Sequence, residues 1–104
     1  MSDWKAPIHP GEILADELEE LRMKPVELAA RLGVPDNRIY QILHGRRRVT
    51  ADTALRLGKF FNTGPEFWLN LQQAYELDIA WQETGSSLDK IIPYQVPQGA
   101  ASPG

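Results

Sequence analysis

The chain has 104 residues, about one domain, and no cysteine, which excludes disulfides, thiolate metal sites and a thiol nucleophile and is compatible with a reducing cytoplasm. No apolar run approaches the roughly 18 residues of a membrane span, and the opening MSDWKAPIHPGEIL lacks a signal-peptide core, so a soluble, unexported protein is expected. The formal net charge of -3 argues against a polyanionic partner until it is divided: residues 1–24 carry three Lys or Arg against six Asp or Glu, residues 25–62 seven against three, and residues 63–104 one against five.

Taken in chain order, residues 1–9 contain Pro7, are followed at once by Pro10, and read as an arm. A first helix is predicted from about Pro10 or Gly11, with Leu14, Leu18 and Leu21 as its core stripe and Glu12, Asp16, Glu19 and Glu20 on the opposite, solvated arc. Pro25 opens the second helix at its first position, although Lys24 stands where a Ser, Thr, Asp or Asn cap is preferred. Leu28, Ala29 and Leu32 give that helix an apolar face, and Gly33 supplies the positive φ that ends it, making Gly33 the hinge. The third helix is expected from about Pro35 to His44, with Ile39, Ile42 and Leu43 inward and Gly45 as its stop.

Thr50 offers an N-cap for a fourth helix through Phe61, with Ala54, Leu55, Leu57, Gly58 and Phe61 closing a bundle. Asn62-Thr63-Gly64 breaks it, and Pro65 starts a fifth and longest helix ending near Thr84. On that helix Phe67, Leu71, Ala74 and Trp81 form one stripe, while Trp68, Tyr75 and Ile79 lie roughly 80–120° round from it. An apolar arc this wide exceeds what one flank of a small bundle needs. Trp68, Leu71, Tyr75 and Ile79 are accordingly the expected homodimer interface, the alternative being that the tail folds back over them. Residues 85–104 turn to Gly, Ser, Pro, Gln and Ala around one apolar island, Ile91-Ile92-Pro93-Tyr94, and read as a flexible tail. The expected division is therefore arm 1–9, helical domain 10–84 and tail 85–104.

Two short helices hinged at Gly33 and followed by three arginines make a helix-turn-helix reader of DNA the leading functional reading. Asn37 and Gln41 carry amides able to pair bidentately with adenine, and Arg38 can do so with guanine, each good pair being worth roughly 1–3 kcal/mol of discrimination. Asp36 either accepts from cytosine or stabilises the helix N-terminus. Tyr40 and His44 are assigned to phosphate or sugar, and Arg46, Arg47 and Arg48 to phosphate, with a solvated basic loop as the plain alternative for the arginines. A dimer with such contacts predicts a log-log salt slope of about -5 to -7 and a palindromic operator.

Catalysis has little to stand on. There is no GxGxxG, P-loop or HExxH, and His9 and His44 stand apart without ligand spacing, so no enzyme, metal or cofactor is expected. His9 reads as a local hydrogen-bonding group at the first helix.

The blocks HPGEIL at His9–Leu14, LAARLGVPDNRIYQILHG at Leu28–Gly45, TADTALRLGKFF at Thr50–Phe61 and EFWLNLQQAYEL at Glu66–Leu77 occur in an order that resembles the lambda-repressor-like, Xre-type helix-turn-helix proteins, and among them the HigA-type antitoxins. The resemblance spans roughly residues 8–80. It implies an all-α, five-helix domain that dimerises, binds palindromic operator DNA through its third helix and represses its own operon. It further implies a HigB-type toxin, an mRNA-cleaving ribonuclease neutralised by direct binding. Two other readings stay open: a phage or plasmid regulator without a toxin, and a protein-interaction module that does not bind DNA.

Overall fold

The computed structural model describes residues 6–97 and contains five helices among them: α1 Pro10–Leu21, α2 Pro25–Leu32, α3 Asp36–Leu43, α4 Ala51–Phe61 and α5 Pro65–Leu88. Residues 1–5 of the expected arm and 98–104 of the expected tail lie outside the described residues.

Local rules account for most boundaries. The His9 ring accepts a hydrogen bond from the Gly11 N–H at 2.9 Å, while the Glu12 carboxylate accepts from the His9 N–H at 3.2 Å, a reciprocal cap built on imidazole. α1 ends at Arg22, which takes the left-handed conformation at φ 53°. At α2 the lysine contributes no side-chain cap; instead the Glu27 carboxylate accepts from the Lys24 N–H at 3.3 Å. Gly33, at φ 72°, forms the hinge, and its N–H and that of Val34 return to the carbonyls of Ala30 and Ala29 in a Schellman-type close. Pro35 precedes α3 as its N-cap rather than its first residue, which leaves Asp36 in the first turn at the positive end of the helix dipole. Thr50 does occupy the N-cap position of α4, but its hydroxyl makes no cap bond.

Leu14 and Leu18 of α1, Leu28, Ala29 and Leu32 of α2, Ile39 and Ile42 of α3, Val49, Ala54 and Leu57, and Trp68 of α5 make one core. α1 approaches α3 so closely that a Cβ at Gly11 would overlap the Ile42 carbonyl oxygen. This contact joins the first helix to the end of the third. α4 packs most extensively on α5.

The fifth helix departs from expectation twice. It runs to Leu88, four residues past Thr84, so Gly85-Ser86-Ser87 is helical rather than part of the tail. Trp68, expected at a homodimer interface, is instead buried in the core of its own domain. Only 1% exposed, it lies with ring centroids 5.6 Å from Phe61 and 5.2 Å from Phe67, and its indole N–H donates to the Thr63 hydroxyl at 3.1 Å. Leu71 is partly buried on the same core, Tyr75 is half-buried edge-on to His9 at 4.8 Å, and Ile79 is half-buried. Trp68 and Leu71 of the expected stripe thus hold α5 to its own domain, with Tyr75 and Ile79 half-buried farther along the helix. At about 100° per residue, Leu77 and Trp81 fall roughly opposite Trp68. They are 63% and 58% exposed, and Leu88 continues the same line.

Candidate nucleic-acid interface

α3 buries Ile39 and Ile42 completely and Leu43 in part, which turns its remaining arc outward. Asn37, Tyr40 and His44 are exposed and Gln41 is half-buried on that arc, one helical turn separating Asn37 from Gln41 and Tyr40 from His44. The His44 Nδ1 donates to the Tyr40 carbonyl at 2.8 Å, which turns the ring back along the helix and leaves its other nitrogen free to face outward.

Arg38 lies on the flank of this arc, not at its centre. Its guanidinium donates to Asp52 at 2.8 Å, linking α3 to the first turn of α4. The same carboxylate oxygen accepts from Arg56 Nε at 3.1 Å, and Arg56 also donates to the Leu32 carbonyl at 2.8 Å at the end of α2. Hydrogen bonds from Arg56 and then Arg38 hold the Asp52 carboxyl below its ordinary range, so it stays ionised and fixes both arginines. Arg38 is therefore a braced side chain whose reach is set by Asp52.

Beyond α3, Gly45 at φ 71° turns the chain, and the Arg46 N–H closes the helix on the Gln41 carbonyl at 2.8 Å. Arg46, Arg47 and Arg48 are exposed; Arg46 and Arg47 have no carboxylate partner among the described residues. Arg48 pairs through Nε with Glu76 of α5 at 2.9 Å, which raises the arginine's pKa and lowers that of the carboxyl. Arg38, Arg47 and Arg48, with Thr50, Asp52 and Thr53, line an open cleft of about 420 Å³ at the start of α4. Three guanidinium groups and the N-terminal end of a helix suit a phosphate.

Besides Asp52 and Arg56, the residues His9, Gln72 and Glu76 shape this surface and were not assigned to it from the sequence. His9 is 7% exposed and sets the cap of α1 against the loop, where a Cβ at Gly45 would touch its ring; burial lowers its pKa, against the opposing effects of Glu12 and the Arg47 backbone. Gln72, 3% exposed, accepts the Val49 N–H at 2.7 Å, and its amide donates to Glu76 at 2.9 Å. The available signal was a polar residue set one turn from Trp68 on a buried stripe. Among the described residues there is no cluster of three or more potential metal ligands, and no helix is long and apolar enough to cross a membrane.

Known proteins are similar to this chain in sequence and fold. The family model described as Helix-turn-helix matches residues 14–68. The chain is 45% identical over 87 residues to virulence-associated protein I of Dichelobacter nodosus, covering 83% of this chain and 80% of that protein. An addiction-module antidote protein of the HigA family from Coxiella burnetii is 53% identical and superposes with a TM-score of 0.84, covering 86% of this chain and all of that one. The Pseudomonas aeruginosa antitoxin HigA, solved with the higBA promoter, is 42% identical with a TM-score of 0.81, covering 86% of this chain and 99% of that one. This chain belongs to the Xre-type helix-turn-helix family, a class of DNA-binding regulators and not of enzymes, and, within it, to the HigA-type antitoxins.

Proposed function

We propose that the chain is the operator-binding repressor and antitoxin of a HigB/HigA-type module, acting in the cytoplasm as a homodimer on a palindrome in its own promoter. The observation that carries this reading is the outward arc of α3, where Asn37, Tyr40, Gln41 and His44 stand beside the Arg46–Arg48 loop. In the proposed complex Asn37 and Gln41 read base edges, with Arg38 at the margin of the site and braced by Asp52. Tyr40, His44, Arg46, Arg47 and Arg48 meet the sugar-phosphate backbone, one phosphate seating in the cleft at the start of α4. The promoter complex of the Pseudomonas aeruginosa HigA supports this mode of use.

The proposed dimer contact moves to the C-terminal half of α5. Leu77, Ala80, Trp81, Thr84 and Leu88 line an apolar groove there, and a second copy of the helix covers such a stripe more completely than water can. Neutralisation of a HigB-type ribonuclease is supported by the family and by two acidic flanks suited to a basic partner.

The deciding experiment is fluorescence anisotropy with duplex from the protein's own upstream region and a scrambled duplex. Selective binding that weakens steeply between low and moderate salt is expected; equal affinity for both duplexes sinks the operator reading. Incubation with a HigB-type ribonuclease from the same genome tests the antitoxin half, which fails if RNA cleavage continues at molar excess of this chain.

A further inference from the structure

We infer that Gln72 and Glu76 of α5 are positioning residues for DNA recognition, setting the backbone and the charge direction of the arginine loop; this rests on the operator-binding reading above. The loop between α3 and α4 has few means of holding its own shape. Gly45 is in the left-handed region and Arg46 to Arg48 are exposed, so its order must come from residues outside it. Val49 supplies one anchor as a buried apolar side chain, but its N–H points away from any helix ladder. Left alone that buried donor would be costly.

Gln72 accepts it at 2.7 Å across 23 residues of sequence. The amide then has one end occupied, and its NH₂ donates to Glu76 at 2.9 Å, so the network itself decides which way the amide faces. The same Glu76 oxygen accepts from Arg48 Nε at 2.9 Å. Bonding through Nε leaves the far edge of the guanidinium, with its terminal nitrogens, available to a phosphate. Arg48 also lines the cleft at the start of α4. Gln72 thus fixes where the chain leaves the loop, and Glu76 fixes the direction in which Arg48 presents its charge. Because α5 is also packed on α4 and on α1, it holds the loop in register with α3.

The test uses the full chain with operator and scrambled duplexes and amide hydrogen exchange at Val49. Gln72→Met keeps the length and removes the acceptor: Val49 loses protection, and the ratio of operator to scrambled affinity falls about tenfold, as one misplaced contact set would cause. A folded variant with an unchanged ratio overturns the role of Gln72. Glu76→Ala and Glu76→Gln remove the same charge, but only the second keeps an acceptor for Arg48 Nε. The alanine variant should bind operator about three- to fivefold more weakly than the glutamine variant, the worth of one oriented charged contact. Equal affinities overturn the role of Glu76, and this exposed pair of variants carries the test even if Gln72→Met does not fold. A wild-type chain that protects Val49 yet fails to prefer its operator would overturn the operator reading and not the clasp.

Discussion

α3 and α5 each bury one face and present another, and the presented faces have opposite chemistry. α3 shows amides, a phenol and an imidazole beside three arginines, whereas the far half of α5 shows Leu77, Trp81 and Leu88. The first can exchange its hydrogen bonds with water for those with a nucleic acid at little cost when free. The second gains only by leaving water. A helix-turn-helix module thus separates reading from association, and the two can be broken separately.

The largest effect should come from the side of α5 that faces its own domain. Trp68→Ala should cost about 3–5 kcal/mol of stability in urea unfolding, at every protein concentration. A small or concentration-dependent loss would return Trp68 to an interface. Trp81→Glu, on the opposite side, should weaken self-association by about 2–4 kcal/mol in sedimentation while leaving the helical content of the monomer intact; an unchanged mass would place the dimer contact elsewhere.

On α3, Gln41→Ala should lose about 1–3 kcal/mol of preference at particular operator positions and little affinity for scrambled DNA. Uniform loss on both would deny it a reading role. A gentler perturbation acts through His9, whose cap requires an unprotonated ring. Its folded pKa lies below the unfolded value near 6.5, so its contribution is complete above that pH and is lost as the pH falls toward the folded value. Stability should therefore decline on acidification from neutral, by about 1 kcal/mol for a lost cap. His9→Asn, which keeps a cap acceptor without titrating, should flatten that decline; an identical pH profile would remove His9 as its source. Smallest of all, Arg47→Ala should reduce the salt slope by about one unit per protomer without changing base preference.

Much of the fold was legible because its punctuation is local. Pro10, Pro25 and Pro65 fix φ and lack a donor where a helix begins, Gly33 and Gly45 admit a positive φ where one ends, and the helices start or stop within two residues of them. Gly85 misled in the same terms: glycine weakens a helix by only about 1 kcal/mol, and the helix continued through it to Leu88. The outward arc of α3 was also readable, since three apolar residues at helical spacing leave only one side for the rest.

The sequence by itself determined the five-helix order, the hinge at Gly33, the basic middle of the chain and the residues that α3 turns outward. Tertiary structure alone decided which side of α5 lies inside. That helix is apolar on two faces, and periodicity measures how apolar a face is, not which neighbour covers it. The same limit hid the Arg38–Asp52 brace and the Gln72–Val49 bond: each joins residues far apart in sequence, and a hydrogen bond leaves no local signal until packing brings its partners within 3 Å.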